Sequence, residues 1–257
     1  MDDFSLAADL VQEAGTLAAT MLANGLETEY KTSISDVVSA ADHAAEDLVA
    51  GRLTQARPED GLIGEEGHSR PGERTWYIDP VDGTYNFLSG IPYWCSAVGL
   101  VDADGPVAGA VYYPAMDELW VGGRDHPTTL NGVPVPPLQD RPLGQVSVAT
   151  YFHPRYTQHA ARAAAWQAAT SQAAAVRMLG SASVDLSGVA TGRLGAFLQG
   201  NLKPWDWYPG IALVLGAGGV TEDVPMDGIT WQVAGNRQTV ADLTAALRGS
   251  ATASDQT

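Results

Sequence analysis

Trp76-Tyr77-Ile78-Asp79-Pro80-Val81-Asp82-Gly83-Thr84-Tyr85-Asn86-Phe87 is the stretch from which the fold and the chemistry of this chain are most directly read. Trp76, Tyr77 and Ile78 read as a buried strand. Two carboxylates three residues apart follow, on a turn that Pro80 stiffens and Gly83 releases. Acids placed that close repel each other unless a cation sits between them. Magnesium suits such a gap, because it takes hard oxygen ligands and keeps waters that a phosphate can displace. The same residues also suit an acidic turn at a strand end, so the other acids of the chain bear on the choice.

Acids recur at apolar-to-polar boundaries in three further segments. Asp36-Val37-Val38-Ser39-Ala40-Ala41-Asp42 comes soon after Lys31, and Gly64-Glu65-Glu66 follows Leu62-Ile63. Trp205-Asp206-Trp207 precedes an apolar run that ends at Gly219. In this order the segments closely resemble the inositol monophosphatase family of magnesium-dependent, lithium-sensitive phosphatases. The family pattern is a lysine, then D-x-V-T-x-x-D, G-E-E, D-P-I-D-G-T-x-N-F and W-D. The resemblance runs from about Lys31 to about Asn236. It implies an α/β fold, a five-layered αβαβα sandwich of the inositol monophosphatase and fructose-1,6-bisphosphatase type. It also implies magnesium-dependent hydrolysis of a small phosphorylated polyol, inositol 1-phosphate first, by a metal-activated water with about two to three ions per site. Histidinol phosphate, fructose 1,6-bisphosphate and a 3′-phosphonucleotide stay open as substrates of the same chemistry, as does a non-catalytic regulatory member of the family.

The resemblance also assigns parts. Glu65, Asp79 and the carbonyl of Val81 match the ligands of a first magnesium, and Asp79, Asp82 and Asp206 those of a second. Glu65 also touches a third, mostly hydrated ion. Thr84 and Asp42 match the pair that orients and activates the attacking water, so Asp42, Glu65 and Thr84 form the expected catalytic set. Asp82, Gly83, Thr84, Gly180, Ser181, Ala182, Gln199 and Asp206 match the substrate contacts, with Arg177 to Ser183 resembling the family's R-x-x-G-[ST]-A-A segment. Gln199 stands where many inositol phosphatases have a glutamate, and an amide suits a neutral polyol. Asp42 also suits an acid at a helix N-terminus, and Lys31 a solvated surface charge. Glu66 reads as structural, and Trp205 and Trp207 as packing. The departures from the pattern are Ser39 for threonine, Ser183 for alanine, and Tyr208-Pro209-Gly210 for small residues. Pro209 is acceptable if it falls in the first turn of a helix.

The chain has 257 residues, enough for a substantial core, and a formal net charge of −16. That charge argues against nucleic acid as a main partner. Cys95 is the only cysteine, so no intrachain disulfide forms. No apolar run has membrane-spanning length, and the acidic start Met1-Asp2-Asp3 lacks the basic opening of a secretory signal. The expectation is a cytoplasmic protein without a membrane partner, and the resemblance implies a homodimer. Periodicity predicts helices over 4–22, 40–55, 158–170, 183–190, 206–215 and 239–247. It predicts strands over 96–101 and 106–112 about an Asp-Ala-Asp-Gly turn, and over 117–121, 146–150, 176–179, 194–198, 220–223 and 231–234. Residues 134–142 hold four prolines and read as a connection between an N-terminal half, 1–140, and a C-terminal half, 141–257, of one compact unit. Residues 249–257 read as a frayed end.

Overall fold

The computed structural model describes residues 1–25, 28–30 and 37–254. Lys31 and Asp36 lie outside the described residues. Helix α1 (Asp3–Asn24) starts where the Asp2 carboxylate accepts the Ser5 N–H at 2.7 Å. Leu6, Leu10, Ala14 and Ala18, one turn apart, form its buried stripe. Strands β1 (Thr28–Tyr30) and β2 (Val37–Ser39) form an antiparallel pair. Helix α2 (Ala40–Ala56) packs beside α1.

A large sheet follows, built from β3 (Gly61–Gly64), β4 (Ser69–Arg70), β5 (Thr75–Asp82), β6 (Cys95–Asp102), β7 (Gly105–Tyr113), β8 (Glu118–Gly123), β9 (His126–Leu130) and β10 (Val133–Pro134). Its eight strands lie in the order β10-β9-β8-β7-β6-β5-β3-β4. Between β5 and β6 sits the short helix α3 (Thr84–Leu88). Residues 135–142 then run without regular structure toward the second sheet. That part comprises β11 (Ser147–Tyr151), α4 (Ala160–Thr170), β12 (Ala175–Arg177), α5 (Ala182–Ala190), β13 (Ala196–Gly200), α6 (Pro204–Gly216), β14 (Val220–Met226), β15 (Ile229–Gly235) and α7 (Arg237–Ser254). The five strands are ordered β12-β11-β13-β15-β14, with β11 parallel to both its neighbours.

The layers follow from which faces are apolar. Helices α1 and α2 cover the outer face of the large sheet over Leu6, Leu10, Leu53, Trp76, Ile78 and Leu100. Helices α5 and α6 lie between the sheets around Trp120, Leu186, Phe197, Trp207 and Leu213. Helices α4 and α7 cover the far face of the small sheet over Val148, Leu198, Trp231, Leu243 and Leu247. The result is the five-layered αβαβα sandwich. Because β5 is covered on both faces, its burial is nearly continuous. No described helix is long and apolar enough to cross a membrane.

Four sequence expectations change. The turn expected at Asp79-Pro80-Val81-Asp82 is instead the end of β5, which continues through a bulge to Asp82. Pro209 is the sixth residue of α6, past its first turn. The large sheet makes room for it: Gly99 and Gly109 lie directly opposite each other on β6 and β7, and a Cβ on Gly99 would sit 2.8 Å from the Pro209 nitrogen. Helix α7 extends through 249–254, where fraying was expected, with the Ser250 hydroxyl donating to the Leu247 carbonyl at 2.6 Å. The segments 220–223 and 231–234 are parts of one long antiparallel hairpin, while β3, β4 and β9 had no sequence signal strong enough to predict them.

Candidate active site

Strand β5 delivers the central pair of acids. In an unbroken strand, residues three apart point to opposite faces. Here Asp79 lies opposite Ala97 and Asp82 opposite Cys95, so β5 holds one more residue than β6 across the interval. This bulge brings both carboxylates to the same side. Pro80 sits inside it, where a missing N–H costs no ladder bond, and its carbonyl accepts the Ser96 hydroxyl at 2.6 Å. Asp206 arrives from the first turn of α6, its carboxylate accepting the Lys203 N–H at 3.2 Å. Trp207 beside it is buried and packs near Phe197 with ring centroids 6.3 Å apart. Carboxylate oxygens of Asp79, Asp82 and Asp206 all lie within 4.8 Å of one another.

Such a cluster is electrostatically costly. Burial, and then the charges of Glu65, Asp82 and Asp206, holds the Asp79 carboxyl well above the usual carboxylate range. Burial also raises Asp82, against the lowering effect of donors from Ser183, Ser181 and Ala182. Asp206 is pushed up to about 7 by burial and by the charge of Asp82. One oxygen of Asp79, Oδ1, is buried without a hydrogen-bond partner. A hard divalent cation is the partner that satisfies that oxygen and removes the mutual repulsion. The donor set therefore fits magnesium.

The second half of the chain closes on Asp82. The Ser181 hydroxyl donates to it at 3.0 Å, the Ala182 N–H at 3.2 Å, and the Ser183 N–H completes the set. Ser181 is also the N-cap of α5, where its hydroxyl accepts the Val184 N–H. Gly180 takes a φ of +94°, and a Cβ there would press on the Asn86 amide at 2.7 Å. Gly83, with a φ of +98°, faces the Gly180 carbonyl at a distance where a Cβ would be 3.1 Å away. Only glycine meets both demands at these positions.

The Asp42 and Thr84 side chains also meet. Asp42 is fully buried in the first turn of α2. Thr84 Oγ1 lies 3.3 Å from Asp42 Oδ1 and 3.0 Å from the Val81 carbonyl. The Val81 side chain is fully buried against Ala18, Ala41, Phe87 and Trp94, which leaves its carbonyl as the group available to the site.

A model of the inositol monophosphatase family matches residues 2–253. The chain belongs to the inositol monophosphatase family. It is 35% identical over 199 residues to an inositol-1-monophosphatase of Rhizobium meliloti, spanning 76% of this chain and 74% of that protein. It is also 35% identical over 204 residues to the Nus factor SuhB of Xylella fastidiosa, spanning 78% and 74% of the two chains. Among solved structures, the extragenic suppressor protein suhB of Bartonella henselae superposes with a TM-score of 0.85 at 29% identity, over 95% of this chain and 97% of that one. As an inositol monophosphatase family member, the chain is a phosphoric monoester hydrolase.

Two residues of this family member escaped the sequence reading. Glu46 lies one turn beyond Asp42 on α2 and is fully buried. Its carboxylate accepts the Glu66 N–H at 2.7 Å and the His68 N–H at 2.9 Å, with His68 Nδ1 3.1 Å away. These bonds fix the turn that carries Glu65, whose own N–H donates to the Ile78 carbonyl of β5 at 3.1 Å. Gly64 passes so close to the Glu46 carboxylate that any Cβ would overlap it. The signal was present as Asp42-x-x-x-Glu46 at helical spacing, but a helical glutamate is ordinarily solvated. Asn86 is the second: its amide donates to the carbonyls of Tyr93 at 2.8 Å and Leu179 at 2.7 Å, tying α3 to the segment before α5. Gln199 is placed differently from the acids. It lines a cavity with Tyr151, His153, Arg155, Tyr156, Gly200 and Asn201.

Proposed function

We propose that this chain hydrolyses the phosphate monoester of a small polyol in a magnesium-dependent reaction, with inositol 1-phosphate as the reference substrate. The observation that carries the reading is the convergence of three buried acids, Asp79, Asp82 and Asp206, beside the Asp42–Thr84 pair. Glu65, Asp79, the Val81 carbonyl, Asp82 and Asp206 would hold the metal. Bound magnesium supplies a lowered pKa for water and charge stabilisation at the phosphoryl and leaving oxygens.

The protein's own groups then act around the ester. Thr84 has one hydroxyl proton and two acceptors within reach, Asp42 and the Val81 carbonyl, so it donates to one at a time. Donating to Asp42, it turns its lone pairs toward a proton of the attacking water, and Asp42 draws that proton away as the oxygen attacks. Backbone N–H groups of Gly83 and Thr84 hold a phosphate oxygen. Ser181 and Ala182 keep Asp82 aimed by donating to it, so the carboxylate does not swing away when the ester arrives. The N-terminal half, 1–140, thus supplies the water-activating pair and most acids, and the C-terminal half, 141–257, supplies Asp206 and the alcohol side of the pocket.

Phosphate release from inositol 1-phosphate, with magnesium and after chelation, tests the reading. Turnover only with magnesium is the expected result. Full turnover by the chelated protein, or none with any phosphate ester at saturating magnesium, refutes it.

A further inference from the structure

The parallel strands β11, β12 and β13 end along one edge of the small sheet, and the chain leaving that edge reaches the acid cluster. After β12 it supplies Ser181 and Ala182 to Asp82, and after β13 it supplies Asp206. Ligands of layered α/β folds gather at such carboxyl ends. On this edge lies a cavity of about 280 Å³, lined by Tyr151, His153, Arg155, Tyr156, Gln199 and Asn201 with the Gly200 backbone. Tyr151 and Gln199 lie opposite each other on β11 and β13, so they form its floor from adjacent strands. The Leu202 N–H bonds the Gln232 side chain at 2.7 Å, which fixes the short link between this cavity and Asp206.

The chemistry of the lining is one-sided. Among the described residues no carboxylate lines the cavity, in a chain whose formal charge is −16. Six of the other eleven arginines, Arg52, Arg57, Arg74, Arg124, Arg193 and Arg248, are held in ion pairs. Arg155 has no carboxylate partner among the described residues, and its guanidinium stays exposed at the cavity. His153 Nδ1 accepts the Arg155 N–H at 3.1 Å, which puts the proton of the neutral ring on Nε2 as a further donor. Asn201 spends its carbonyl oxygen on the Thr230 N–H at 3.0 Å, leaving its NH2. Arg162 adds a second positive charge 5.2 Å over the Tyr156 ring. At position 199 an amide removes the negative charge that a carboxylate would bring and can itself donate.

We infer that this cavity binds a second phosphate on the substrate, remote from the one that is hydrolysed, so that the preferred ester is a bisphosphorylated polyol. A dianion with three terminal oxygens matches a guanidinium fork surrounded by imidazole, phenol and amide donors. The inference rests on the reading of the chain as a phosphatase of small polyols. It names Arg155 as the residue that sets the preference.

The test compares inositol 1-phosphate with inositol 1,4-bisphosphate at fixed magnesium and matched ionic strength, for the unaltered chain, Arg155→Gln and Arg155→Lys. The expected kcat/KM favours the bisphosphate by about tenfold or more, the scale of one charge-assisted hydrogen bond, chiefly through KM. Arg155→Gln abolishes that ratio and Arg155→Lys keeps part of it. A ratio near one in the unaltered chain, or an equal fall for both esters in Arg155→Gln, overturns the inference. If neither ester is turned over, the proposed function fails, and calorimetric titration of the same two esters decides the cavity by itself. Tighter binding of the bisphosphate that is lost in Arg155→Gln supports it, and equal binding overturns it.

Discussion

Replacing Glu46 by glutamine should uncouple the turn that carries Glu65 from the helix that carries Asp42. The Glu46 carboxylate accepts two backbone N–H groups, from Glu66 and His68, one on each oxygen. A glutamine side chain offers one carbonyl oxygen and one NH2, so one of those backbone donors meets another donor. Losing one hydrogen bond to a charged acceptor costs about 1.5–3 kcal/mol, and both of these bonds are half-buried. Urea unfolding should therefore show a loss of that size, with an unchanged denaturant slope. The distinguishing readout is metal dependence. Glu65 is a proposed ligand, and loosening a group that orients a ligand typically weakens metal affinity by about tenfold to a hundredfold. The magnesium concentration that gives half-maximal phosphate release should rise by about tenfold, while turnover at saturating magnesium recovers most of its original value. An unchanged half-saturating concentration in a destabilised Glu46→Gln protein would refute the reasoning and leave Glu46 as a purely structural acid.

Thr84→Ala should lower turnover by roughly a hundredfold, the scale of a lost orienting group, with little change in magnesium affinity, measured by metal titration of initial rates. Asp206→Asn should abolish magnesium-dependent turnover yet stabilise the metal-free protein in chemical unfolding at neutral pH, because it removes one member of a repelling cluster. The pH dependence of the metal-free protein follows with its sign: Asp206 rises from 3.8 to about 7 on folding, so between those values the folded state holds more protons than the unfolded one. The contribution of this group is present in full below 3.8 and is lost as pH rises through about 7. Thermal melting of the chelated protein should thus decline across that window, and Asp206→Asn should flatten the decline. Gly109→Ala should cost about 1–3 kcal/mol in urea unfolding, since the added methyl group overlaps the Pro209 carbonyl and lies 2.8 Å from the Ala212 Cβ.

Much of this protein was legible along the chain. Asp79, Asp82, Glu65 and Asp206 stood out because acids at the ends of apolar runs are costly, and their residue types needed no tertiary information. The long helices were legible too, since α1 repeats its buried residues every turn and α2 begins beside Asp42. Local pattern failed where a long-range partner decides the outcome. The same-side placement of Asp79 and Asp82 depends on a bulge that exists only against β6, with Ser96 bonding the Pro80 carbonyl. Pro209 is tolerated inside a helix because two glycines on neighbouring strands open a groove for it. Glu46 reads as a solvated helix acid until the Glu66 and His68 amides are folded onto it, and the role of Asn86 emerges only when Leu179, far along the chain, approaches it. The cationic cavity joins residues from β11, β13 and the turns beyond them, and nothing in the spacing of His153, Arg155 and Gln199 announces it. The sequence by itself determined which side chains carry charge and which segments bury themselves, because those are properties of single residues and their near neighbours. Only the tertiary structure decided which charges meet, because hydrogen bonds and repulsion act across a few ångströms of space, whatever the separation along the chain.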